Sequence, residues 1–153
     1  MTDFSTVERS IVIQAEPGVI LPWISDFTKW PAWSPWEQPG ADLKRTYEGA
    51  PGSQGASYSW DGKGRAGAGT MRATTVSARD VGVALAFTRP FKSQSDVHFA
   101  LSTPAEGSTK VSWTMKSPKT TMSRIMGVVM NMDKMIGGDF DKGLASLKAL
   151  VEK

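Results

Sequence analysis

Hydrophobic and polar residues alternate in residues 7–14 and again, between turns, from residue 41 to residue 115. In residues 7–14 the alternation places Ile11 and Ile13 on one face, and similar rows recur between turn residues such as Asp61-Gly62. A period of two is typical of strands with one buried face, and successive strands without helical crossovers favour an antiparallel sheet. We therefore predict strands over residues 7–14, 43–49, 56–61 and 69–79. Three further strands are predicted around three rows of inward residues. The first row is Val83, Leu85 and Phe87, the second is Val97, Phe99 and Leu101, and the third is Val111, Trp113 and Met115.

Two short stretches after the first strand have a helical pattern. Residues 19–27 predict a short helix that is interrupted or kinked around Pro22. Residues 30–36 contain Pro31 and Pro35, so they allow one further helical turn and no long helix. Three tryptophans in this second stretch must bury much of their area, either as the mouth of a pocket or as a structural plug, and we favour the plug.

After Pro118, apolar residues recur every three or four positions from Ile125 to Val151, the stripe of one long amphipathic helix. About 30 helical residues span roughly 45 Å, which is enough to cross a whole sheet. The order of elements predicts an α+β protein of the helix-grip type: a curved antiparallel sheet of about seven strands around a long C-terminal helix, with two short helices after the first strand.

Composition is that of an ordinary globular chain. The 153 residues fit one domain over 1–153, and 40% of them are hydrophobic. The 18 basic and 15 acidic residues are interleaved, which indicates a mixed solvated surface and no nucleic-acid partner. There are no cysteines, so disulfides, thiol catalysis and thiolate metal sites are excluded.

Nothing in the sequence predicts a membrane association. The longest apolar stretch, Val81 to Phe87, is far shorter than the roughly 20 residues that span a bilayer. The first residues have neither a basic segment nor an apolar one, so no signal peptide is visible. We expect a cytoplasmic protein without stable membrane insertion, and the oligomeric state stays open.

Several segments carry a family resemblance when they are taken in order. They are Trp33-Ser34-Pro35-Trp36, Tyr58-Ser59-Trp60-Asp61-Gly62, residues 67–71, Phe87-Thr88-Arg89-Pro90-Phe91, residues 107–113 and residues 136–144. Together they resemble the bacterial polyketide cyclase/dehydrase-like branch of the SRPBCC (START-like) superfamily. That resemblance implies the helix-grip fold with a cavity between sheet and helix. Because members include lipid carriers, plant-hormone binders and polyketide cyclases, the fold does not assign an activity.

Large inward residues of the strands and the helix are the candidates for a ligand-binding wall. Ala73, Thr75, Gly137 and Gly143 are small enough to leave space beside them, and the alternative is a filled core in which large and small side chains interdigitate. The predicted ligand-binding residues are Tyr58, Trp60, Met71, Phe87, Arg89, Phe99, Trp113, Met126, Met130 and Phe140. The charged candidates for the cavity are Arg9, Arg72, Arg89 and Glu37, and Arg89 comes first because it lies on the side of Phe87.

Other possible sites give weaker signals. The G-x-G-x-x-G match in residues 62–67 precedes a strand, whereas dinucleotide binding needs a helix there, so we read a hairpin loop and expect no cofactor. His98, the only histidine, alternates with Val97 and Phe99 and should face outward. No metal site is expected, because no third ligand is near it in sequence.

Three functions remain open. The first is a binding module for a small apolar or aromatic molecule, held between sheet and long helix. The second is a polyketide cyclase/dehydrase-type enzyme that folds a flexible substrate and supplies one acid or base, although no catalytic pair can be read. The third is a protein-interaction module of the kind found in related chaperone-ATPase activators.

Overall fold

The protein is an antiparallel sheet with a long helix across one face. The computed structural model describes residues 4–34, 43–62, 68–89, 93–118 and 128–152. Within these ranges seven strands form one sheet in the order β1-β7-β6-β5-β4-β3-β2, and every neighbouring pair is antiparallel. The strands are β1 (Phe4–Ile13), β2 (Leu43–Glu48), β3 (Ser57–Gly62), β4 (Ala68–Val76), β5 (Asp80–Arg89), β6 (Ser93–Ser102) and β7 (Thr109–Pro118).

Two short helical segments follow β1, as the sequence predicts. Helix α1 (Pro17–Ser25) begins with a proline in its first turn and accommodates Pro22 inside it. A 3₁₀ helix (Phe27–Ala32) follows at once, and the Asp26 carboxylate caps it by accepting a hydrogen bond from the Thr28 amide at 2.9 Å. The long helix, α2 (Val128–Val151), closes the chain. The helix-grip architecture is therefore confirmed.

The predicted inward rows form the core. Val83 and Leu85 of β5 are buried, as are Val97, Phe99 and Leu101 on β6 and Val111, Trp113 and Met115 on β7. Phe87, the last residue of the predicted β5 row, is half-buried, and Val81 extends the buried row at the other end. On α2, Phe140, Leu144 and Leu147 are buried, with Leu150 and Val151 packed at the edge. Within the described ranges, no helix combines the length and the apolar character needed to cross a bilayer.

One predicted face is wrong, because strand β4 contains a bulge. Ala73 pairs with Val83 but Thr75 pairs with Gly82, so one extra residue lies between them. An extra residue reverses the faces of all residues beyond it. Thr75 is therefore exposed, and Val76 packs against the core in its place. Thr75 does not leave space in the interior.

Helix α2 packs mainly along β1, and its last turn is fixed there by polar contacts. The Lys148 ammonium donates to the Val12 carbonyl oxygen at 3.0 Å, and the Gln14 amide donates to the Glu152 carboxylate at 2.8 Å. Lys148 and Glu152 also form an ion pair one helical turn apart. These contacts hold the last turn of α2 against β1.

Candidate functional site

Five aromatic rings fill the concave face on the β6–β7 side, and we call them the aromatic core. Phe140 of α2 stacks on Trp113 of β7, with ring centroids 4.0 Å apart and planes within 10°. Phe99 lies 4.9 Å from Trp113, and both contact Trp30 and Trp33 edge to face. All five side chains are at most 3% exposed. In this part of the described chain, side chains interdigitate as in the filled core considered above.

Two of the three tryptophans in the core, Trp30 and Trp33, tie the short helices to the sheet. The Trp30 indole N–H donates to the Ile24 carbonyl oxygen and the Trp33 indole N–H donates to the Trp23 carbonyl oxygen, both at 2.8 Å. Each indole thus buries its ring in the core while its polar atom is satisfied by α1. The predicted plug is confirmed for Trp30 and Trp33, and Trp36 lies outside the described residues.

A second group of rings crosses the other side of the same face, and we call it the aromatic ladder. It runs from the edge strand β2 inward through Tyr47, Tyr58, Trp60 and Phe87. Tyr47 stacks on Tyr58 with centroids 5.0 Å apart, Tyr58 stacks on Trp60 at 5.8 Å, and Phe87 meets Trp60 edge to face at 5.5 Å. Tyr58 is buried, Trp60 and Phe87 are half-buried, and Tyr47 is 38% exposed.

Strand register explains how these rings meet. Tyr58 pairs with Tyr47 on one side and with Met71 on the other, and directly paired residues of antiparallel strands share a face. Trp60 pairs with Gly69, and its indole lies over that glycine: a Cβ at position 69 would stand 2.6 Å from the Trp60 ring. The missing side chain therefore provides the space in which Trp60 lies.

Sequence reasoning missed two polar residues on this face. Arg45 pairs with Trp60 across β2 and β3 and is half-buried. Ser95 pairs with Leu85 and is only 7% exposed, in the inward row that continues with Val97. Both follow the alternation of their strands, so a face assignment for every polar residue, and not only for the large apolar ones, would have found them.

The other predicted wall residues have different outcomes. Met71 is buried beside Tyr58. Arg89 pairs with Ala68 at the end of β5, and Thr88 is the extra residue of a second bulge. The side chain of Arg89 is outside the described set. Met130 lies in α2, but its side chain is likewise outside the described set. Met126 and the loop 63–67 lie outside the described residues altogether.

Gly137 does not leave space for a ligand. The guanidinium of Arg9, on the concave face of β1, occupies the position where a Cβ would stand, 2.5 Å from the Arg9 Cζ atom. The same guanidinium lies 3.6 Å from the Asp141 carboxylate on the next turn of α2. The glycine therefore lets the helix approach β1 closely around an arginine side chain.

His98 faces outward, as predicted. Its Nε2 atom lies 3.0 Å from the Asp80 carboxylate, and both side chains are about half exposed. Among the described residues, no three histidine, aspartate or glutamate side chains come together as metal ligands.

Described residues line two surface depressions. Neither depression is lined by Trp60 or Phe87, the inner rings of the aromatic ladder. One of about 260 Å³ lies at the end of the sheet between Glu16, Arg79 and the β6–β7 turn. Another of about 10 Å³ lies between the 3₁₀ helix and the β2–β3 connection, against the outer side of Tyr47. The first is polar and open, which is not the surface that an apolar ligand requires.

Comparison with known proteins gives a family and a fold. A family model for polyketide cyclase / dehydrase and lipid transport proteins matches residues 5–152. No curated protein matches the sequence. Among solved structures, the Zhui aromatase/cyclase from Streptomyces sp. R1128 superposes with a TM-score of 0.73 at 13% identity, covering 98% of this chain and 94% of that one.

Two further structures share the architecture. Norcoclaurine synthase from Thalictrum flavum, in complex with dopamine and hydroxybenzaldehyde, has a TM-score of 0.68 at 12% identity, with 98% of this chain and 87% of that one covered. A protein from Thermobifida fusca has a TM-score of 0.68 at 17% identity, covering 96% and 93%. At these identities the likeness shows the fold alone.

Proposed function

The chain belongs to the polyketide cyclase / dehydrase and lipid transport family, and on that premise we propose that it binds a small apolar or aromatic molecule on the concave face of its sheet. The observation that carries this proposal is the half-buried pair of Trp60 and Phe87. These rings stand on the face that elsewhere forms the core, whereas the rings of the aromatic core are buried completely.

The proposed wall consists of Tyr58, Trp60, Met71 and Phe87. Trp60 and Phe87 stand at 85° to each other, so a planar molecule can stack on one ring and meet the other edge to face. Apolar area removed from water contributes about 25 cal/mol per Å², and two large rings supply much of what a small ligand needs. Met126 and Met130 remain predicted contributors to the wall. Sequence alternation predicts Arg89 on the side of Phe87, but the second bulge pairs it with Ala68, in the register row of Asp61 and not in that of Trp60.

The filled aromatic core has a supporting part in this proposal. The stack of Phe99, Trp113 and Phe140 joins α2 to strands β6 and β7, next to the proposed wall. We expect these rings to contribute to binding by keeping the wall rigid. Norcoclaurine synthase, which has the same fold, holds two aromatic molecules in its solved complex. That parallel supports an aromatic ligand for this chain.

Binding is favoured over catalysis by the position of His98. A general base must lie within hydrogen-bond reach of the proton that it removes, and His98 faces solvent beside Asp80 on the opposite side of the sheet. The described residues of the concave face therefore present rings and a few hydrogen-bonding groups, which suit recognition of a small molecule.

The test is a titration with N-phenyl-1-naphthylamine, a neutral aromatic probe whose fluorescence rises in apolar surroundings. We expect saturable binding by the wild type and an affinity about tenfold lower for Trp60→Leu, because one stacking surface is lost. Trp23→Leu is the matched control, since Trp23 is a half-buried tryptophan of α1 under the Lys29 ammonium.

The control variant should bind as the wild type does, and circular dichroism should show that both variants are folded. Absence of saturable binding by the wild type, or equal affinities of the wild type and Trp60→Leu, would overturn the proposal.

A further inference from the structure

Strand β2 forms one edge of the sheet. It pairs with β3 on one side, and none of the described strands lies on its other side. At the opposite edge, side chains of α2 bind backbone groups of Val12 and Gln14 at the end of β1. The edge of a sheet presents backbone N–H and C=O groups with which another extended chain can pair. Of the two edges, β2 is therefore the one to which a further strand can be added.

The convex side of β2 carries opposite charges at its two ends. Lys44, Thr46 and Glu48 form this row, and they alternate with Arg45 and Tyr47 on the concave side. The three side chains of the row are exposed, and among the described residues neither Lys44 nor Glu48 takes part in an ion pair. A lysine on an edge strand normally keeps other strands away. Here a glutamate four residues further along the same row offers that lysine a counter-charge.

This row is complementary to itself. When a second copy of β2 is added antiparallel with Thr46 opposite Thr46, each Lys44 faces Glu48 of the other copy. Opposite charges directly across two strands stabilise the pairing, and like charges destabilise it. A shift by two residues sets Arg45 against Arg45, or else sets Tyr47 against Tyr47 and separates the opposite charges. Charge complementarity thus selects one register.

We infer that the protein forms a symmetric dimer through β2, with Thr46 at the two-fold axis. The same residues of both copies form the interface, as in other two-fold dimers. In this register the two sheets continue into each other and their concave faces open on the same side. Tyr47 is 38% exposed and stacks on Tyr58, so the second copy covers the outer end of the aromatic ladder.

A second copy fits this edge better than an unrelated extended peptide. It supplies both counter-charges at the spacing of four residues that Lys44 and Glu48 require, whereas another peptide needs that same pattern by chance. β2 has six residues, so the interface is small and the dimer is expected to be weak and reversible.

The first test is the molar mass in solution, measured by analytical ultracentrifugation at protein concentrations from about 1 µM to about 300 µM. We expect a reversible monomer–dimer equilibrium for the wild type. Glu48→Lys should weaken dimerisation about tenfold or more, because it places lysines opposite each other at both ends of the row. The double variant Lys44→Glu/Glu48→Lys restores opposite charges and should dimerise as the wild type does.

Glu106→Lys is the matched control. It changes the net charge by the same amount at an exposed position of the β6–β7 turn, away from β2, so we expect unaltered dimerisation. A wild type that stays monomeric at every concentration would overturn the inference. A dimer that Glu48→Lys leaves intact, or that the double variant does not restore, would place the interface on another face and overturn it equally.

Thr46→Cys tests the register without changing any charge. The chain has no cysteine, so one introduced thiol reports on one position. Directly paired residues have Cβ atoms about 5 Å apart, close to the separation of about 4 Å in a disulfide. Under mild oxidation, Thr46→Cys should form a disulfide-linked dimer about tenfold faster than Thr70→Cys, because pairing raises the effective concentration of the thiols. Thr70 is exposed on the convex face of β4.

Equal rates of cross-linking by the two cysteine variants would contradict the proposed register, and this result does not depend on the folding of Glu48→Lys. No ligand enters either measurement, so the outcomes are independent of the proposed function.

Discussion

Gly69 and Trp60 show how one missing side chain shapes the candidate site. A Cβ at position 69 would lie 2.6 and 2.7 Å from two atoms of the Trp60 indole and would overlap the Ala86 carbonyl oxygen. Because backbone and indole both occupy that space, no small movement of a flexible side chain could accommodate it. The orientation of Trp60 therefore depends on a glycine in the neighbouring strand.

We expect Gly69→Ala to lower the free energy of unfolding by about 1–3 kcal/mol, since overpacking forces rotamer and backbone shifts. Denaturant unfolding followed by circular dichroism measures this. Gly138→Ala is the control, because a Cβ at that position of α2 meets nothing within 4 Å. Alanine is favoured over glycine in a helix interior by about 1 kcal/mol, so the control should be at least as stable as the wild type. An undiminished stability of Gly69→Ala would contradict the packing described.

At the scale of elements, the last turn of α2 is fastened to β1 by charged groups. Glu152 accepts hydrogen bonds from the Gln14 backbone amide and from the Lys148 side chain. These two donors lower the pKa of the Glu152 carboxyl below its usual value, with the Gln14 amide as the larger cause. Lys148 in turn donates to the Val12 carbonyl oxygen, so strand and helix share one polar cluster.

The lowered pKa of Glu152 predicts a pH dependence. A carboxyl whose pKa is lower in the folded state stabilises the fold above its unfolded pKa of about 4.5, and that contribution is lost as the pH falls through the folded pKa. We expect Glu152→Gln to melt below the wild type near neutral pH and the difference to shrink in acid. Glu106→Gln, an exposed change in the β6–β7 turn, should show no such convergence. A melting difference that is the same at both pH values would contradict this account.

At the scale of the whole molecule, the concave face divides into a part whose rings are completely buried and a part that includes half-buried rings. The aromatic core lies where α2 and the short helices meet β6 and β7. The aromatic ladder lies over β2 to β5, with Trp60 and Phe87 half-buried. The fully buried rings hold the elements together, whereas the half-buried rings are those to which we assign ligand binding in our proposal.

Phe140→Ala tests the structural part of that division. We expect it to lower the free energy of unfolding by about 3–5 kcal/mol, because it removes a buried ring that stacks on Trp113 and leaves a cavity between helix and sheet. Ser146→Ala, at an exposed position of the same helix, should change stability by less than about 0.5 kcal/mol. Comparable stabilities of the two variants in denaturant unfolding would argue against the stack of Phe140 on Trp113 as a stabilising link between α2 and the sheet.

Much of the architecture could be predicted because its signals are local. Alternation in the strands and the spacing from Phe140 to Leu147 reflect burial on one face, and each is visible within a short window of sequence. The error at Thr75 has the opposite origin. A bulge depends on how β4 pairs with β5. The alternation of residues within β4 does not show which residue is extra.

The candidate site needed more than periodicity. Alternation places Trp60 and Phe87 inward, but it cannot show that Trp113 and Phe140 stack while Trp60 and Phe87 remain half-buried. Gly137 looks like free space in the sequence, yet Arg9 from the other end of the chain occupies it. Such contacts join residues far apart along the chain, so no local pattern contains them.

The sequence by itself determined the strands, the long helix and the inward direction of most large residues. The reason is that buried positions recur about every 2 residues in a strand and about every 3.6 residues in a helix. Tertiary structure alone decided which part of the concave face is filled, which glycine receives a neighbouring side chain, and that Arg45 stands opposite Trp60. The physical reason is that filling and pairing depend on strand register and on the volumes of distant side chains. The face that we propose for ligand binding therefore forms only when β2, β3, β4 and β5 are side by side.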